Sequence, residues 1–307
     1  MARRRKGRPV TGILLLDKAQ GWSSNGVLQK VRWLFHAQKA GHTGALDPMA
    51  TGLLPICLGE ATKFTRFLLD ADKAYLATAC LGVRTDTLDA EGQVTEQAVV
   101  PDLSEEAIRQ LLKTEFTGDV QQVPPMYSAL KRDGKKLYEL ARQGIEIERE
   151  ARPVTIHRLE LLGYQAPELQ LDVDCSKGTY IRTLVDDIGT ALGCGAHLSA
   201  LRRTRHGRFS LAQAVTLDAL IERHEQGGPE ALDEWLMPLD DLLQDFPRVD
   251  LDESEANRFS HGNPVPLAEP GSALMRVYDD ADHAFMGLGN GLDGWLRPVR
   301  LVSSQVD

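Results

Sequence analysis

Apolar positions along the chain change their period several times, and each change marks a structural element. GILLLDK, residues 12–18, is a nearly continuous apolar run and predicts a buried strand. The Gly21-Trp22-Ser23-Ser24 break ends it, Ser23 or Ser24 is placed to cap a helix, and Val27, Val31 and Leu34 lie along one face of that helix. Leu53, Leu54, Ile56 and Leu58 form a second apolar run, after which Phe64, Phe67 and Leu68 predict a helix over about 60–69. KAYLATACLGV, residues 73–83, alternates small and large side chains as a strand does. Ser104 caps a helix reaching about Phe116. Residues 154–163 and 168–176 alternate well enough to pair as a hairpin, and Ile181, Leu184, Val185 and Ile188 then mark the core face of a helix. A helix over 216–224 is broken by Gly227-Gly228-Pro229, and Pro238 and Pro247 mark a linker near residue 247. Beyond it, short strands over 273–278, 284–289 and 296–301 predict a small β-domain.

Composition alters this picture little, but charge alters it more. The chain has 307 residues, room for one large domain and one small one, with 42% hydrophobic and 26% charged residues, ordinary for a soluble globular protein. The net charge of -9 argues at first against a polyanionic partner. Its distribution reverses the argument: residues 1–70 carry 11 basic and 4 acidic groups, whereas residues 211–307 carry 6 and 19. Local field rather than total charge steers a polyanion, so nucleic acid stays open. Cys57, Cys80, Cys175 and Cys194 show neither CxxC nor Cys/His ligand spacing and read as reduced thiols of a cytosolic protein, with no metal site. No apolar run reaches the ~18 residues of a membrane span, and the basic arm Arg3, Arg4, Arg5, Lys6 and Arg8 is not followed by a signal-peptide core.

Candidate chemistry concentrates in GHTGALDPMATGLLPICLGEATK, residues 41–63. Gly41, Gly44 and Gly52 permit close backbone approach, and Asp47, the only acidic residue between Asp17 and Glu60, is held on a stiff loop by the following Pro48. Residue types alone are equally those of an ordinary turn. Two further stretches are basic. Lys131, Arg132, Lys135 and Lys136 follow the extended bend of Pro124-Pro125, and GAHLSALRRTRHGRF brings Arg202, Arg203 and Arg205 into a run without acidic residues. The second fits bidentate phosphate contacts, while the first, on its residues alone, reads as a solvated helix face.

GHTGALDPMATGLL resembles the catalytic-aspartate motif of the TruB family of pseudouridine synthases, which isomerise uridine 55 of the tRNA T-loop. LLLDKAQGWSS is similar to the family's first motif, departing from it at Ala19, where the family usually has proline. KAYLATACLGVRTDTLDAEG and CSKGTYIRTLVDDIG resemble its second and third motifs, so the resemblance spans nearly the whole chain. It implies an α/β (α+β) pseudouridine synthase fold with a mixed, largely antiparallel sheet over residues 1–246. An RNA-clamping insert is implied at about 124–152, and a PUA-like β-domain over 247–307. It further implies Asp47 as the catalytic residue, Arg182 paired with its carboxylate, Tyr75 packed on the target base, and His42, Tyr180 and Leu201 around that base.

Pseudouridine formation breaks an N-glycosidic bond and joins C5 of the uracil to C1′, with no cofactor needed. A base inside a folded loop must be flipped out, and an aromatic such as Tyr75 replaces the lost stacking. Arg182 beside Asp47 is expected to lower the carboxyl pKa. Whether Asp47 adds covalently or deprotonates a ribose intermediate is open in the sequence. The implied partner is the T-arm of tRNA, bound by a cytoplasmic monomer. Two rivals are a tRNA-binding protein that folds the elbow and a carboxylate-dependent nucleoside hydrolase.

Overall fold

The computed structural model describes residues 6–128, 130–132, 134–267 and 273–303, so Arg3, Arg4 and Arg5 of the basic arm lie outside the described residues. A mixed sheet dominates it. The strand order is Val215–Thr216, Gly12–Lys18, Thr51–Leu58, Ala196–His206, Lys73–Leu81, Glu168–Cys175, Arg152–Gln165 and Gly118–Gln122. Val215–Thr216 runs parallel to Gly12–Lys18, and Ala196–His206 runs parallel to Thr51–Leu58 over one short contact; the other neighbours along this path are antiparallel.

Burial explains why the strands read differently in sequence. On Gly12–Lys18 and Thr51–Leu58, Leu14, Leu16, Leu54 and Ile56 face a core shared with the helix Ser24–Leu34, while Ile13, Leu15, Leu53 and Cys57 face a second core on the other side. Both faces are covered, so the apolar run is continuous. Lys73–Leu81 is covered on one face only. There Tyr75, Ala77, Ala79 and Leu81 pack against the helices Glu105–Glu115 and Ile181–Ala191, while Leu76 is exposed. The side-chain period of two is then visible.

Helix starts follow the capping residues. Ser23 accepts a hydrogen bond from Gly26 N, Ser104 from Ala107 N and Thr216 from Ala219 N. The helix expected over 60–69 is instead two pieces, a 3-10 turn at Gly59–Lys63 and a short helix at Thr65–Leu69. Between them Phe64 leaves helical geometry at φ -112 and sinks fully into the core, 5.8 Å from the ring of Phe285.

Residues 196–206, read from sequence as a basic surface stretch, form a central strand. Past Phe246, a five-stranded sheet built from Arg248–Leu251, Leu274–Asp279, Phe285–Leu292, Trp295–Leu301 and Val265–Pro266 packs around the helix Glu253–Ser260. Leu288 of this sheet belongs to the same core as Ile13, Leu15 and Phe64. Lys63 Nζ also donates to Leu301 O at 2.9 Å, and Ser303 N to a Glu60 carboxylate oxygen at 2.8 Å.

Candidate active site

Asp47 lies on the loop joining the strands Ala40–His42 and Thr51–Leu58, and the loop is fastened from several sides. Ser24, at the start of its helix, accepts from Leu46 N at 2.7 Å and donates to Leu46 O at 2.8 Å. Gly21 N donates to Pro48 O at 2.8 Å. Beneath the loop, the fully buried Lys18 donates to Trp22 O at 2.7 Å, Ala19 O at 3.0 Å and Pro48 O at 3.4 Å. Burial lowers the Lys18 pKa to about 8, with the negative Asp47 working in the other direction.

Arg182 occupies the first turn of the helix Ile181–Ala191, where the helix dipole offers a cation nothing. Its stability there comes from the partners it meets. Nε lies 3.2 Å from Asp47, Nη1 lies 3.1 Å from Asp89 and donates to Thr87 O at 3.0 Å, and Nη2 donates to Tyr127 O at 2.8 Å. Asp89 is buried and also accepts from Thr87 Oγ1 at 2.6 Å and Glu91 N at 3.1 Å.

Burial, more than this sharing, corrects the sequence expectation for Asp47. Desolvation pushes its carboxyl above the ordinary carboxylate pKa and Asp89 adds to the rise; Arg182 and Lys18 pull the other way without cancelling it. The one guanidinium serves two carboxylates, so neither has the full benefit of its charge. Ionised Asp47 is therefore a stronger base than a free aspartate.

Asp47, Asp89 and Arg182 border a cleft of about 570 Å³ whose walls also carry Tyr75, Tyr180 and Leu201. Tyr75 is buried, and burial raises its phenol pKa. Tyr180 is held at the helix start by Gln122, which accepts from Tyr180 N at 2.8 Å and donates to Tyr180 O at 3.0 Å. Thus Asp47, Tyr75, Tyr180, Arg182 and Leu201, distant in sequence, meet at one cleft.

The other expected residues do not all join them. His42 is half-buried and outside the cleft lining; burial and the nearby Arg203 hold its ring toward the neutral form. Lys131 and Lys135 stand exposed on a small hairpin, and the side chains of Arg132 and Lys136 lie outside the description. Arg203 is contradicted as a phosphate ligand: it is 1% exposed, inside the central sheet. Arg202 and Arg205 are each engaged by a carboxylate, Arg202 by Asp17 at 2.7 and 3.1 Å and Arg205 by both oxygens of Asp174 at 2.6 and 2.7 Å.

Sequence reasoning missed several groups that shape the site. Asp89 and Glu91 sit in TDTLDAEG, which carries only the signal of a polar turn. Lys18 had a signal, a lysine ending a buried strand. Tyr127, Ser128, Tyr138 and Arg142 reach the cleft from the segment around the two prolines, and Arg142 lies over the Tyr138 ring at 5.3 Å.

Comparison with known proteins covers the whole of this architecture. Residues 32–181 match the family model "TruB family pseudouridylate synthase (N terminal domain)". Residues 182–244 match "tRNA pseudouridylate synthase B C-terminal domain", and residues 247–302 match "Pseudouridine synthase II TruB, C-terminal". The chain is 54% identical over 299 residues to a tRNA pseudouridine synthase B of Pseudomonas aeruginosa, covering 97% of each chain. It is 54% identical over 304 residues to that of Stutzerimonas stutzeri, covering 98% of this chain and 99% of the other. Among solved structures, a Cbf5-Nop10-Gar1 complex matches with a TM-score of 0.70 at 30% identity, over 92% of this chain and 78% of that chain. An H/ACA RNP bound to a substrate RNA containing 2′-deoxyuridine matches with a TM-score of 0.74 at 24% identity, over 100% and 92%, a likeness of fold.

Proposed function

We propose, for a chain that belongs to the TruB family of pseudouridine synthases, that it isomerises uridine 55 in the T-loop of tRNA, with Asp47 acting on the ribose or the base. The enzyme is a pseudouridine synthase, and tRNA is the substrate named for its relatives. One observation carries the finer reading. Asp47 faces the cleft beside the buried Tyr75, and its carboxylate is gripped by an Arg182 that a second buried acid, Asp89, holds in place.

In this reading the uridine leaves the loop and packs on Tyr75, which replaces its stacking partners. The N1–C1′ bond breaks, the uracil turns, C5 bonds to C1′, the proton on C5 is lost and N1 takes one up, so the product is an isomer of the substrate. The sum is redox-neutral. Asp47 adds to the substrate or removes a ribose proton, and in either case it acts as the anion. Tyr180 and Leu201 complete the base pocket. The catalytic unit is residues 1–246, with its insert at about 124–152 gripping the T-arm, and the β-domain runs from 247; the two sheets change over between Phe246 and Arg248 in support of that boundary. The protein acts as a monomer.

Asp47→Asn keeps the side-chain volume and removes the charge. Incubated with a uridine-bearing T-arm hairpin, the variant should form no detectable pseudouridine while binding the hairpin as well as the parent or better. Pseudouridine at the parent's rate would place the reacting carboxylate elsewhere and leave a tRNA-binding role as the stronger reading. Free uracil from the parent would instead mark a hydrolase.

The pH profile is a second test. Asp47 must be ionised, and its pKa is raised, so activity is present above that raised pKa and lost as pH falls through it. The acid limb of the single-turnover rate should lie above the ordinary carboxylate range. A limb near pH 4, the unperturbed value, would contradict the site's electrostatics.

A further inference from the structure

The buried arginine of the central sheet has no carboxylate partner among the described residues. Arg203 lies on the strand Ala196–His206 with Gly52 opposite it on one side and Tyr75 opposite it on the other. The approach to Gly52 is backbone on backbone: at φ 98, a Cβ on Gly52 would stand 2.3 Å from Arg203 O, so this position requires glycine. The guanidinium donates from Nε to Leu53 O at 2.6 Å and from Nη2 to Gly44 O at 3.2 Å, and Tyr75 is its cross-strand neighbour, close enough for the phenol and the guanidinium to feel each other electrostatically.

Its charged neighbours make burial harder rather than easier. Burial pushes Lys73, His206 and His42 toward their neutral forms, and the like charge of Arg203 adds to the push. Burying a cation among neutral acceptors and other bases is unfavourable, and an apolar residue of similar size avoids that penalty. What an apolar residue lacks is the ability to bind two carbonyls from two places and to meet the Tyr75 phenol with a charge. Gly44 and Leu53 bracket the loop that carries Asp47, and Tyr75 belongs to the neighbouring strand.

We propose that Arg203 is a positioning residue: one guanidinium closes both ends of the Asp47 loop and holds the Tyr75 phenol by its charge, fixing carboxylate and aromatic ring relative to each other. The inference rests on the reading of Asp47 and Tyr75 as the uridine site. Arg203 touches no substrate. It acts through the two side chains that do, and it meets no phosphate.

The test uses the full chain with Arg203→Met, Arg203→Lys, Tyr75→Phe and the double variant Arg203→Met/Tyr75→Phe. Single-turnover pseudouridine formation in a T-arm hairpin and the salt dependence of hairpin binding are measured on each. Arg203→Met should slow the reaction by roughly 100-fold, the scale of a misplacement near 1 Å, while affinity and salt slope stay at the parent's values. Arg203→Lys should recover part of the rate. Tyr75→Phe should cost rate on its own and almost nothing further once Arg203 is replaced, because the tether is then already gone. A salt slope lower by roughly 0.7–0.9 with weakened binding would make Arg203 a phosphate ligand and overturn the proposal. An unchanged rate with a lowered melting temperature would reduce it to packing and overturn it as well. If Arg203→Met does not fold, Tyr75→Phe decides alone, and a parental rate refutes the tether. Failure of the parent to convert the hairpin at all would count against the proposed function, not against this inference.

Discussion

Two stretches of this chain look alike in sequence and differ completely in the folded protein. KRDGKK, residues 131–136, and LRRTRH, residues 201–206, are both dense in cations. The first forms a two-residue-per-strand hairpin whose Lys131 and Lys135 stand in solvent. The second is the C-terminal half of an eleven-residue strand, where Arg202 is held by Asp17, Arg205 by Asp174, and Arg203 by two carbonyls. Asp17 and Asp174 lie 185 and 31 residues away from their partners, so no local window contains them. Clustered cations advertise a binding surface only where distant anions have not already claimed them.

Three measurements sharpen that contrast. The largest effect is expected from Lys131→Ala/Lys135→Ala, which should flatten the salt dependence of hairpin binding by roughly 1.4–1.8 units if each lysine meets a phosphate. Unchanged slopes would make the hairpin as irrelevant to RNA as the strand. Arg205→Ala should leave the slope alone and instead lower unfolding stability by about 1 kcal/mol, the upper end for a partly exposed ion pair. A flattened slope there would return Arg205 to the RNA interface.

The smallest effect concerns His206, fully buried on the same strand, where burial and the surrounding cations lower its pKa to about 2. Its unfolded value is 6.5, so the unfolded chain binds the extra proton between those limits and stability falls as pH drops from 6.5 toward 2. His206→Gln should flatten that acid limb in denaturant titrations run across the range. An equally steep limb would mean that other groups carry it.

The same contrast explains what the sequence disclosed. Period alone located the doubly buried strands, the half-covered strand with Tyr75, and the capped helices, because each of those follows from residues within one window. The split at Phe64 was hidden, since its cause is a ring more than 200 residues away. In the site, Asp47, Tyr75, Tyr180, Arg182 and Leu201 were named through their motifs, and the cleft brings them together. Asp89 was not, because an acid within a run of polar turn residues has no local mark; its cationic partner, Arg182, arrives from 93 residues on. The direction of the Asp47 pKa was misjudged for the same reason. One arginine beside one carboxylate predicts a lowered value, and the burial that outweighs it, with the second carboxylate adding to the rise, becomes visible only in space.

The core that joins Leu15 and Phe64 to Leu288 also sets a timetable for synthesis. A ribosome adds roughly 5–20 residues per second, so a nascent chain carries the face around Phe64 for roughly 10–40 s before Phe285 and Leu288 exist to cover it. Phe209, Leu242 and Leu243 reach that face earlier, so the last residues complete a core that is already largely assembled. A chain stalled before residue 285 thus keeps only the Phe64 side of that core in water.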